Sequence, residues 1–84
     1  MYWDVVEVKV ANNLILNVRF SDGTSGRIKF MPQHLKGVFE PLKNPQFFAR
    51  VFIHDGVVAW PNEIDLAPDA MYQEIKQKGE WILK

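Results

Sequence analysis

Apolar and polar residues alternate along the first third of the chain. In Asp4–Val10, Val6, Val8 and Val10 fall on one face of an extended segment and Val5, Glu7 and Lys9 on the other, the period-two pattern of a half-buried strand. Asn12-Asn13 supplies a turn. Leu14, Leu16, Val18 and Phe20 then share one face of a second strand, opposite Ile15, Asn17 and Arg19, and Ser21-Asp22-Gly23 closes it with hairpin chemistry. A third strand over 26–30 places Ile28 and Phe30 inward and Arg27 and Lys29 outward.

The period breaks at 31–47, where Pro32, Gly37, Pro41 and Pro45 exclude a long helix or a central strand. Short helical turns anchored by Leu35, Val38, Phe39, Leu42 and Phe47 are expected there. Residues 48–54 regain strand character, Asp55-Gly56 forms a second hairpin turn, and Val57–Trp60 completes the pair. Trp60 ends an apolar run just before Pro61 fixes the direction of departure, which makes it a structural anchor. Pro68 suits the first turn of a helix that runs to about Lys78, with Asp69 at the positive end of the dipole and Gly79 as C′ residue. Met71 and Ile75 share one face of that helix, beside Tyr72.

These elements predict a single α+β domain over residues 1–79. It comprises a five-stranded, mainly antiparallel sheet, an irregular proline-rich crossover and one C-terminal helix packed on one face. Residues 80–84 are expected as an apolar C-terminal tail. Its Trp81, Ile82 and Leu83 are candidate partner-binding residues or a segment that folds back on the core.

With 84 residues, the chain makes one domain and buries only about 60–65% of its unfolded surface. Hydrophobic residues at 48% argue against disorder. No cysteine is present, so disulfides and thiolate zinc sites are excluded. The start Met1-Tyr2-Trp3-Asp4 shows no signal-peptide pattern and no apolar run approaches a membrane span, so a soluble cytoplasmic protein is expected. The formal charge is zero; residues 1–36 carry five basic against three acidic groups, and 37–84 five against seven. That balance disfavours nucleic acid as a partner.

Phe20-Ser21-Asp22-Gly23, Phe39-x-x-Leu42, Phe47-Phe48, Trp60-Pro61-Asn62, Asp65-Leu66, Pro68 and Tyr72 together resemble a family of small bacterial domains known as domain of unknown function twenty-four forty-two. The resemblance spans roughly residues 5–72. It implies an α+β domain with an antiparallel sheet and no recognised active site. Members are also encoded beside a small protein in what look like toxin and antitoxin pairs, which implies partner binding. Glu63-Ile64 stand where the family often has a glycine followed by a small residue, and Ala67 where a capping acid often precedes the proline.

Candidate chemistry is sparse. His34 and His54 are the only histidines, and no short spacing unites them with Glu63, Asp55 or Asp65 as metal ligands. Glu63 and Asp65 precede a helix, where dipole compensation explains them without catalysis. Ser21 and Ser25 lack a nucleophile elbow, and the glycines form no phosphate loop. Neither an enzyme nor a cofactor is expected. Lys9, Arg19, Arg27 and Lys29 lie on the polar side of the first three strands, a row that could follow a phosphate backbone but is interrupted by Glu7. The leading expectation is therefore a small protein-binding module, antitoxin-like toward a cognate protein encoded by an adjacent gene or pairing as a homodimer. The alternative is a nucleic-acid-binding regulator using the basic sheet face.

Overall fold

The computed structural model describes residues 3–84. Met1 and Tyr2, which begin the expected domain and the segment read for a signal, lie outside the described residues. The chain is α+β, with seven strands among the described residues divided between two sheets. Strands β1 (Val5–Asn12), β2 (Ile15–Phe20) and β3 (Ser25–Phe30) form an antiparallel meander. The last strand of the chain, β7 (Glu80–Leu83), joins the free edge of β3 in parallel. Strands β4 (Phe52–His54), β5 (Val57–Trp60) and β6 (Ile64–Asp65) make a separate antiparallel sheet in that order.

The single five-stranded sheet expected from the sequence is thus replaced by a mixed four-stranded sheet and a three-stranded one. Alternation identifies the two faces of a strand but not its neighbour. The segment between β3 and β4 holds 3-10 turns at Pro32–His34 and Gly37–Lys43, followed by the short helix α1 (Pro45–Phe48). It carries the chain away from β3 and leaves that edge for β7. Helix α1 also corrects the strand expected over 48–54, which begins only at Phe52. Pro45 sits in its first turn and the Asn44 Oδ1 accepts the Gln46 N–H at 2.9 Å, a start signal present in the Asn-Pro pair.

One continuous core joins the sheets. Leu16, Val18 and Phe20 of β2 and Ile28 and Phe30 of β3 meet Val58, Trp60 and Ile64 from the second sheet and Met71 and Ile75 of helix α2 (Pro68–Lys78). In β1 a register shift between Val5 and Glu7 makes Val6 a bulge. Val5 is consequently buried and Val6 exposed, the reverse of what strict alternation places together. Of the expected anchors in 31–47, Leu35 and Leu42 are buried and Phe39 and Phe47 pack on the core, whereas Val38 is 71% exposed.

Helix α2 has the expected bounds, and Gly79 closes it at φ 78° with its N–H bonded to the Ile75 carbonyl at 2.7 Å. Its descent onto the sheet requires Gly26. A Cβ at that position would lie 2.5 Å from Ile75 Cγ2 and 2.6 Å from the Gly79 carbonyl oxygen. Backbone on one side leaves little room to yield, so Gly26→Ala is expected to destabilise the domain by about 1–3 kcal/mol, read as a lower urea midpoint at unchanged slope.

The N-terminal end of α2 is less well completed. Ala67 stands at the N-cap with no side-chain acceptor, and Asp65, in β6, does not supply one. Ala67 is exposed, leaving room for a longer side chain. Ala67→Asp is expected to stabilise the domain by about 0.5–2 kcal/mol, seen as a rise in the thermal midpoint.

Candidate functional site

The four-stranded sheet has an inner face covered by the core and an outer face that bears charge. Cross-strand pairing sets its outward rows: Glu7 faces Arg19, which faces Ser25, and Lys9 faces Asn17, which faces Arg27, which faces Glu80. A further row places Ile15, Lys29 and Ile82 side by side. All four cations singled out in the sequence, Lys9, Arg19, Arg27 and Lys29, are therefore brought to one exposed face. Three of them, with Asn17 and Glu7, line a shallow open groove of about 480 Å³ that ends near Gly79.

This face is only partly compensated. Arg19 Nε lies 3.4 Å from Glu7 Oε1, Lys9 Nζ 3.7 Å from Glu7 Oε2, and Arg27 Nε 3.4 Å from Glu80 Oε1. Glu80 was not part of the row legible in the sequence, because only the parallel return of β7 places it beside Arg27. Four cations against two carboxylates leave the face net positive. These exposed pairs add little stability, with about 0–1 kcal/mol each as the usual range.

The residues of the expected tail are dispersed by the strand they form. Leu83 pairs with Phe30 and is buried, Trp81 pairs with Ile28 and is half-buried against the core, and Ile82 points outward beside Lys29 at 39% exposure. Trp81, Ile82 and Leu83 hence make no contiguous surface, because successive side chains of a strand point to opposite faces. The parallel pairing ties the segment into the sheet, so 80–84 is not a detached tail.

Two of the residues read as structural marks, Asp22 and Tyr72, meet in three dimensions. Asp22 and Gly23, the latter at φ 90°, form the β2–β3 turn. Tyr72, fifty positions later on α2, donates its hydroxyl to Asp22 Oδ2 at 2.5 Å and sets its ring edge-on to Phe20 at 5.1 Å. Trp60 is buried against Phe30 and Phe48, with Nε1 donating to the Phe48 carbonyl at 2.8 Å. Pro61 opens the following turn, in which Asn62 and Glu63 take φ of 71° and 63°; Glu63 thus occupies a left-handed conformation that favours the glycine often found in the resembled family. Asp65 lies outward on β6 opposite Ala59, and Pro68 opens α2.

The Tyr72 hydroxyl, then the Thr24 backbone N–H and hydroxyl, hold the Asp22 carboxyl down at about 2 from an ordinary 3.8. Because its pKa is lower when folded, this carboxylate's stabilising contribution is fully present above pH 3.8 and is lost as pH falls through about 2. Tyr72→Phe removes the largest cause. The Asp22 titration followed by carboxyl-carbon NMR is expected to move up toward 3.8, so that this carboxylate contributes less above pH 3.8 and the smaller acid-induced loss is complete at a higher pH.

The histidines stay apart. His34 sits between Phe30 and Phe39 with Nδ1 3.0 Å from the Lys84 carbonyl oxygen, and exposed His54 lies 3.4 Å from Asp55. Among the described residues no cluster of three His, Asp or Glu side chains is placed to hold a metal, and no polar or charged side chain is buried. No helix among them is long and apolar enough to cross a membrane.

Fold and surface together define a small α+β domain whose larger sheet is packed on one side and open and cationic on the other. The family described as protein of unknown function (DUF2442) matches residues 5–77, and the chain belongs to it. No curated protein and no solved structure matches the chain.

Proposed function

We propose that this chain is a non-enzymatic bacterial protein-binding module, acting in the cytoplasm as the antitoxin-like partner of a small cognate protein encoded by an adjacent gene. The observation that carries the reading is the outer face of the four-stranded sheet: it is open, net positive and lined by Arg19 and Arg27, which lie beside the carboxylates of Glu7 and Glu80. A surface of mixed, ordered charge gives register and specificity to a protein partner. Ile15 and Ile82 border it with apolar area.

Lys9, Arg19 and Arg27 in one groove support the second reading, a nucleic-acid-binding regulator. Glu7 and Glu80 weigh against it, and aromatic side chains for base stacking are missing from the outward rows. Co-expression of the chain with the neighbouring gene product, followed by co-purification at low and high salt, decides between them. The protein-binding reading expects a complex that persists without nucleic acid. Failure to bind that product, together with salt-sensitive retention of nucleic acid, would replace it with the second.

A further inference from the structure

The charged groove itself specifies what part of a partner it takes. Arg19 on β2 and Arg27 on β3 are outward-pointing diagonal neighbours, since Arg19 pairs with Ser25 and Asn17 with Arg27. Each guanidinium meets its own carboxylate through Nε alone, Arg19 with Glu7 and Arg27 with Glu80, both at 3.4 Å. Among the described residues nothing engages their Nη groups. Two guanidinium forks are thus held by their inner edge and left open at the outer one, the geometry that receives a carboxylate through two parallel hydrogen bonds.

We infer that this groove binds an extended acidic segment of the partner protein, with two carboxylates at positions i and i+2 taken by Arg19 and Arg27. The inference rests on the protein-binding reading above. Alternate side chains of an extended segment lie about 6.5–7 Å apart, close to the roughly 7–8 Å diagonal between neighbouring strands. Lys9 Nζ, on a side chain 74% exposed, adds a third positive charge along the same groove. Glu7 and Glu80 set the selectivity. A peptide can place a neutral or basic residue opposite each of them, whereas a phosphodiester chain, charged at every unit, would meet both with like charge.

The test uses fluorescence anisotropy of the full chain with a labelled peptide of alternating Glu and Ser, at low ionic strength. A Lys–Ser peptide and a single-stranded oligothymidylate serve as comparisons. R19Q/R27Q is the test variant and K36Q/K43Q the control with the same change in net charge; all four positions are exposed, and thermal unfolding checks that both variants fold. The expected result is binding of the Glu–Ser peptide alone, weakened at least tenfold per arginine in R19Q/R27Q, as for loss of a charge-assisted hydrogen bond, and less than twofold in the control. Equal losses in both variants, or tighter binding of the oligothymidylate, would overturn the inference. If the neighbouring gene product binds wild-type and R19Q/R27Q chains alike, the acidic-segment inference fails while the protein-binding reading stands. Absence of any partner complex removes the reading itself.

Discussion

Trp60→Ala is expected to remove about 3–5 kcal/mol of stability, a large share of the total for a domain of this size. An 84-residue domain has roughly 4–13 kcal/mol in total at about 0.05–0.15 kcal/mol per residue. Trp60 is the largest of the fully buried side chains. Its ring lies 5.9 Å from Phe30 and 5.8 Å from Phe48, so it joins the inner face of the first sheet to α1 while belonging to the second. Truncation opens a cavity where three elements meet. Urea denaturation measures the loss. A variant with an unchanged midpoint would mean that the indole is dispensable to the core.

Deleting Trp81–Lys84 is expected to cost about 4 kcal/mol or more, from a buried Leu at roughly 1.5–3 kcal/mol, a half-buried Trp and the lost ladder. The deletion strips β7 from β3, uncovers the inner side of Phe30 and removes the Leu83 carbonyl that accepts the Met31 N–H at 2.8 Å. Leu83→Ala alone should cost about 2–5 kcal/mol, while Ile82→Ser, on the open face, should stay within about 0.5 kcal/mol. Thermal unfolding of the three variants separates core from surface in this segment. A truncated chain that melts with the full-length midpoint would return 81–84 to the status of an appended tail.

Much of this domain is legible in the chain because local physics dictates it. Period-two alternation placed Leu16, Val18, Phe20, Ile28 and Phe30 on one side. Asp22-Gly23 and Asp55-Gly56 fixed two turns that need a positive φ, and Pro68 with Gly79 bounded α2. The four cations were assignable to a polar side for the same reason. Three features depended on tertiary structure. A bulge at Val6 exchanged the inward valines of β1, since a bulge arises from pairing with β2 rather than from the composition of β1. The division into two sheets and the parallel seat of β7 followed from where the irregular segment 31–51 and helix α2 deliver the chain, which no periodicity encodes. Contacts between distant positions completed the picture: Tyr72 reaches Asp22 across fifty residues, and Glu80 reaches Arg27 across fifty-three. Side-chain type and spacing determine which face a residue takes, because those constraints act within a few residues. Its partner across the sheet is decided only when loop paths and core packing bring remote segments into register.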